Sequence, residues 1–391
     1  MNYQFPAINN ISQVLPLIAD RSEFVVAEKE GGYTVVNYVV MMNDTFPPVV
    51  DTETAILREL RGMIFNTETG LPIARRLHKF FNVNEREETL INTVDFDQPH
   101  VILEKLDGSM ITPFMTTAGI RWGTKMGVTD VAIPVEAFVA ANPIYDTFAR
   151  WAQSEGITPI FEWCSRKQTI VIDHPEDKLV LIAIRFNITG EYMPYDKMVE
   201  EVEDTGIPVV RAFEGTVENM QALVDYTRDL INIEGFVVRF DSGHMLKVKA
   251  EDYLRKHKAK DSMSREKNVI ELIVSGNVDD VKSFLSPEDL KRLEKFEDEF
   301  WKGVRITTRE LRHKRDRAGY ELDRKTYAVD FVQQQPERFS RFLYKMFEDK
   351  SDVEVFEMVK DTILKSCGSQ TKVDEVRWIF DCNWIEEKID E

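Results

Sequence analysis

A chain of 391 residues is long enough for two or three domains at ~150 residues each. With 43% apolar and 30% charged residues it has the composition of a globular protein and is too apolar for a disordered one. Its net charge of −18 argues against coating nucleic acid non-specifically, while leaving room for a local basic groove. The longest uninterrupted apolar run, residues 179–184, falls far short of the ~20 residues that span a membrane. The first 25 residues lack a basic start, a long apolar stretch and a small-residue cleavage site, so no secretion is expected. Cys164, Cys367 and Cys382 are too few and scattered for a disulfide framework or zinc site and read as reduced thiols of a cytoplasmic protein.

From residue 24 to 249 the apolar residues come in short β-branched runs broken by Gly, Pro, Asn and Asp. Residues 33–40 (YTVVNYVV), 101–103, 157–163 (ITPIFEW), 179–185 (LVLIAIR) and 236–240 (FVVRF) read as strands. Helical patterns cover 135–155 and 220–228. Strands and helices do not alternate at a βαβ spacing, so the expected class is α+β with largely antiparallel sheets. After residue 256 the texture changes. Ser286-Pro287-Glu288-Asp289 is a helix start, with Ser as cap, Pro in the first turn and acids at the positive end. Leu290, Leu293, Phe296, Phe300, Trp301 and Val304 follow at helical spacing, and 339–347 and 353–364 repeat the pattern. Two domains are expected, 1–255 and a helical 256–391. The first carries 23 basic against 38 acidic residues, the second 27 against 30.

Residues 103–110 (LEKLDGSM) place Lys105 after a predicted strand, two and three positions before Asp107 and Gly108. Alone this is either a surface turn or an amine projecting into a cleft. Three later features add weight. Phe161-Glu162-Trp163 sets a carboxylate between aromatics near a strand end. Glu234-Gly235 opens a strand. Lys247 and Lys249 stand at strand period, so both ammonium groups share a face. A Glu-Gly pair is usually a turn and alternating lysines usually a solvated edge; the order of the four is what carries information.

This ordered set resembles the covalent nucleotidyltransferase superfamily of ATP-dependent ligases and RNA capping enzymes, and more narrowly the RNA ligase 1 family of T-even bacteriophages. Residues 58–65 (RELRGMIF) resemble that family's arginine-glycine strand, and 78–82 (HKFFN) its lysine-phenylalanine-phenylalanine-asparagine segment. The resemblance covers roughly residues 24–255. It implies a nucleotidyltransferase (ATP-grasp-like ligase) domain with antiparallel sheets, followed by an all-helical C-terminal domain concerned with the RNA substrate.

The implied activity is ATP-dependent RNA ligation in three steps. A lysine amine takes AMP from ATP, the AMP passes to an RNA 5′-phosphate, and an RNA 3′-hydroxyl attacks that activated end. Lys105 matches the nucleophile. A lysine with an ordinary pKa of ~10.4 is protonated at pH 7 and cannot attack. Partial burial and positive charge from Lys247, Lys249 and a bound Mg²⁺ (or Mn²⁺) would lower it. Lys247 and Lys249 would also hold the α-phosphate oxygens. Glu234 is the candidate metal-side carboxylate, and Glu162 matches the ribose-binding one. Arg61, Lys79, Glu104, Lys125 and Tyr38 complete the implied nucleotide-binding set, with Tyr253 near it. Asp107 and Ser109 would shape the nucleophile loop, and Gly108 would let backbone approach the nucleotide. Phe80 and Phe81 either stack on a base or pack in the core.

Other residues invite chemistry less. His174, before Pro175, reads as loop. The six histidines lack metal-ligand spacing, Cys164 reads as a small buried residue, and there is no Gly-rich Lys-Ser/Thr phosphate loop. Between Lys302 and Lys325 nine Lys or Arg residues face four acids, an RNA-backbone contact or a solvated helix face. The implied partner is RNA with 5′-phosphate and 3′-hydroxyl ends, broken transfer RNA in the cytoplasm of a phage-infected host among them, with the enzyme a monomer. A DNA ligase or capping-type nucleotidyltransferase, or a binding module without catalysis, are the alternatives. The former usually continue into a small β-barrel where this chain turns helical.

Overall fold

The structure, a computed structural model, describes residues 5–39, 41, 44–168, 170–282, 285, 287–319, 322–348 and 350–385. The chain divides into two compact units, Met1–Leu254 and Arg255–Ile389. Among the described residues no helix is long and apolar enough to cross a membrane.

The first unit is built on three four-stranded sheets. The first runs β1 (Phe24–Lys29), β2 (Tyr33–Tyr38), β3 (Arg61–Asn66) and β4 (Pro72–Ala74), all antiparallel. Strand β2 is buried on both faces. Tyr33 and Val35 pack with Ile64 and Phe114, whereas Val36 joins Phe24, Met63 and Phe65. That is why its sequence is a continuous apolar run rather than an alternation.

The other two sheets face the candidate site. One has the order β10-β9-β7-β8, from β7 (Ser109–Thr116), β8 (Gly119–Gly123), β9 (Ile157–Cys164) and β10 (Lys178–Phe186). The other has the order β5-β12-β11-β6, from β5 (Phe81–Asn82), β6 (His100–Lys105), β11 (Gly235–Phe240) and β12 (Met245–Lys249). Here β5 pairs parallel with β12, the exception to the expected antiparallel pattern.

The stretch 135–155, which reads as one helical pattern, is two helices, Ala132–Ala141 and Ile144–Ser154. Pro143 has no N–H to continue the ladder and pushes Asn142 out of the α region, to φ −129° and ψ 74°.

The second unit is helical throughout its described residues. Its main elements are Glu266–Ser275, Pro287–Ala318, Glu337–Lys345, Asp352–Ser366 and Gln370–Val376. Leu293, Phe296, Phe300 and Val304 are buried in its core with Phe339, Phe342, Val355 and Val359. The expected Ser286 cap lies outside the described residues. Asp352–Ser366 shows the equivalent device: the Ser351 hydroxyl accepts from the Glu354 N–H and the Glu354 carboxylate from the Ser351 N–H.

Candidate active site

Strand register assembles the cleft. Gly235 pairs with Lys105 on β6 and Lys249 on β12, Val237 with Leu103 and Lys247, and Arg239 with Val101 and Met245. Directly paired residues point to the same face of a sheet. One face therefore carries three lysines near the β11 start and Arg239 four residues along. These residues, with Glu162 and Ile182 from the facing sheet and Arg61, Glu104 and Phe80, line a cavity of ≈ 250 Å³.

Two glycines make the approach possible. At Gly108 a Cβ would collide with the Trp163 carbonyl oxygen, and at Gly235 (φ 141°) with that of Val248. Only glycine brings the nucleophile loop onto β9, and β11 onto β12, at these points.

Glu234, 3% exposed just before β11, is the electrostatic centre. Its Oε1 lies 2.8 Å from Lys105 Nζ and 3.1 Å from Lys249 Nζ. Lys247 has no carboxylate within ion-pair distance among the described residues, and its Nζ lies 4.6 Å from the centre of the Phe80 ring. Burial first, then the charges of Arg61, Lys79, Lys105 and Lys249, hold its ammonium well below the usual lysine value. The two downstream lysines are thus in different states, one paired and one not.

Glu162 sits on β9 opposite Met110 of β7. Burial pushes its carboxyl up to about 7; Lys105 opposes that shift and Glu234 adds to it. Burial also pushes the neighbouring Cys164 thiol up to about 12, which makes it no nucleophile at neutral pH. Asp107 points away from the cleft. Its Oδ2 accepts from the N–H groups of Val171 and Ile172, both at 2.7 Å, and its Oδ1 from the Tyr253 hydroxyl at 2.9 Å. His174 donates from Nε2 to the Asp107 carbonyl at 2.6 Å. Asp107, His174 and Tyr253 therefore clamp the Lys105 loop.

Beside Arg61 lies a second cationic group. Lys79 and Lys125 place their Nζ atoms 5.2 and 5.8 Å from the Tyr38 ring centre. Burial raises the Tyr38 phenol, but Lys79, Arg61 and Lys125 together outweigh it and the net shift is downward. Arg61, Glu104, Lys105, Glu162, Lys247 and Lys249 line the cleft itself; Glu234 joins two of its lysines; Tyr38, Lys79 and Lys125 cluster at its Arg61 side. The structure also separates the two phenylalanines. Phe80 forms cleft wall, whereas Phe81 is buried in the core with Phe46 and Phe65.

No cluster of three or more metal-ligating side chains occurs among the described residues. The buried Glu234 carboxylate fits a hard cation that takes most of its oxygens from phosphate and water, as Mg²⁺ and Mn²⁺ do.

Sequence reasoning missed Arg239, and missed the buried group behind the cleft. There Glu59 meets Arg75 at 3.0 Å and Arg185 at 2.8 Å, all fully buried. A charged residue inside the apolar run LVLIAIR was the available signal. In the second unit Arg315 is a correction to the basic stretch. It is 3% exposed and donates to the carbonyls of Met346, Phe347 and Gly319 at 2.7–2.8 Å, so it braces the core. Lys302, Arg305, Arg309 and Arg317 are exposed on the same helix.

With facing antiparallel sheets and a lysine-rich cleft, the first unit has the architecture of a nucleotidyltransferase domain. Residues 59–263 match the family model described as RNA ligase, and 260–390 the one described as the C-terminal domain of T4 RNA ligase 1. The chain belongs to this RNA ligase family, and its helical unit belongs with it too. A Thermovibrio ammonificans protein named "Putative RNA ligase" is 31% identical over 244 residues, 61% of this chain and 61% of that protein. RNA ligase 1 of bacteriophage TS2126 is 24% identical over 149 residues, 35% of this chain and 36% of the relative. The matches thus span less than two thirds of these relatives' lengths. A solved archaeal ATP-dependent RNA ligase is similar at a TM-score of 0.46 and 15% identity, covering 93% of this chain and 78% of that one.

Proposed function

We propose that the chain is an ATP-dependent RNA ligase that joins 5′-phosphate and 3′-hydroxyl RNA ends through a lysyl-AMP intermediate on Lys105. Residues 1–255 are then its adenylyltransferase domain and 256–391 the domain that selects RNA. The observation that carries this reading is the convergence of Lys105, Lys247 and Lys249 on one sheet face, with Glu234 bound to two of them.

In the first step Lys105 Nζ attacks the ATP α-phosphorus and pyrophosphate leaves. The amine attacks in its unprotonated form. Lys247 and Lys249 then face the α-phosphate oxygens as charge builds on them. Glu162 and Arg61 bind the ribose and phosphates. Glu234 would hold a divalent cation, Mg²⁺ or Mn²⁺, which would supply charge stabilisation to the departing pyrophosphate. The AMP passes next to an RNA 5′-phosphate, and a 3′-hydroxyl displaces it to close the phosphodiester. On this reading the natural substrate is broken RNA, transfer RNA included, and the enzyme repairs it as a monomer in the cytoplasm of a bacterium, as a phage-encoded enzyme would in its host.

The test is incubation with α-labelled ATP and a divalent metal, followed by denaturing separation. Wild type is expected to retain acid-labile label and Lys105→Ala none; label on the variant places the nucleophile elsewhere. Label from GTP in preference to ATP points to capping chemistry instead.

A further inference from the structure

Arg239 is the charged group in the cleft that the three-step reaction leaves idle. It stands four residues along β11 from Gly235, so roughly 13 Å from the Lys105 rank at ~3.3 Å per residue. The side chain is 6% exposed and lines the cavity. Nη2 donates to the Met193 carbonyl at 3.3 Å, and the Tyr192 ring centre lies 5.9 Å from the guanidinium carbon. Nη1 is buried without a hydrogen-bond partner among the described residues. A guanidinium only donates, so this atom is open to an acceptor that a ligand brings.

The surroundings say which acceptor. Leu77, Leu103, Ile182, Val210, Val237 and Met245 give the cavity an apolar wall, with Leu103 and Val237 level with Lys247 and Met245 level with Arg239. Apolar walls suit a heterocyclic base, and the lysines toward the start of β11 suit its phosphates. A nucleotide with its α-phosphorus at Lys105 extends its base along β11 toward Arg239. A purine edge offers unprotonated ring nitrogens, each an acceptor.

We infer that Arg239 is a specificity-determining residue whose Nη1 donates to a ring nitrogen of the bound purine, an inference that rests on the cleft being the ATP site. Adenine accepts at N1, N3 and N7 and guanine only at N3 and N7, because guanine N1 carries a proton, so a bond to N3 or N7 favours purines in general and a bond to N1 favours ATP over GTP. Losing one bond to a buried charged donor costs about tenfold or more in binding.

The experiment measures KM for ATP and for 1-deaza-, 3-deaza- and 7-deaza-ATP by pyrophosphate release, with the full chain and its Arg239→Met variant. One analogue is expected to raise the wild-type KM by about tenfold. Arg239→Met should raise KM for ATP similarly and show no further loss with that analogue. Arg239→Lys, which keeps the charge and a donor, should restore part of the discrimination and guards against misfolding. Three analogues equal to ATP in the wild type, or a penalty that persists in Arg239→Met, overturn the inference. A wild-type chain that takes label from no nucleotide overturns the ligase reading, and this one with it.

Discussion

At the scale of single residues, charge states set how the cleft responds to pH. Glu162 accepts best from a sugar hydroxyl as a carboxylate, and burial has moved its carboxyl up to about 7. The folded chain therefore holds a proton that the unfolded chain has released between about 4.5 and 7, so this group costs stability as pH rises through that window. The sign for binding is opposite. KM for ATP should fall as pH rises through about 7 in the wild type and stay flat in Glu162→Gln. A wild-type KM that is constant across that window removes the role. Lys247 makes a sharper case, since an ammonium held below its usual value by burial is a stability cost kept for function. Lys247→Met should leave the unfolding midpoint unchanged or higher while adenylylation falls on the order of a hundredfold. A variant that seals RNA normally ends its assigned role.

At the scale of elements, the buried Glu59 ties together the helix Thr52–Glu59, the chain after β4 and strand β10. Burial raises its carboxyl, but Arg185 and Arg75 overcome that and bring it down to about 2. Its folded value lies below the unfolded 4.5, so the contribution is present above about 4.5 and is lost as pH falls toward 2. Glu59→Gln strands two buried guanidinium groups and should cost about 3–5 kcal/mol in urea unfolding at neutral pH. It should also flatten the acid side of the stability profile; a loss under 1 kcal/mol would show that the arginines find other partners. Apart from Arg185 in the apolar run LVLIAIR, none of this was readable from the residues, because buried ion groups leave no periodic signature. What was readable follows a rule. Strands β6, β9, β10, β11 and β12 stood out because their apolar runs are long or alternate, and so did the face shared by Lys247 and Lys249. The break at Asn142-Pro143 was also present in the residues, but the apolar period continued across it. Strand β5 has two residues and takes its existence from pairing with β12. Arg239 lay on the same face as Val237 by simple alternation, yet its place in the cleft depends on which sheet faces it.

At the scale of the whole molecule, the proposed ligase activity requires an acidic chain to bind an acidic polymer. The net charge of −18 repels RNA at a distance, but exposed charges are screened beyond ~8 Å at physiological salt, so attraction has to come from local cations. On the Pro287–Ala318 helix Lys302, Arg305, Arg309 and Arg317 are exposed and have no ion pair among the described residues. Arg305 and Arg309 are four apart and share a side of the helix. Arg315, turned inward onto three carbonyls, belongs to the core instead. If the exposed pair neutralises two phosphates, the double variant Arg305→Ala/Arg309→Ala weakens binding and lowers the slope of log affinity against log salt by about 1.4–1.8. The adenylylation of Lys105 with ATP alone should not change. Arg315→Ala should do the reverse, lowering the unfolding midpoint while the slope stays put for whatever fraction remains folded. Measuring RNA affinity of the full chain across a salt series separates the two effects. An unchanged slope in the double variant would mean that this helix face meets only solvent and that RNA binds through another surface.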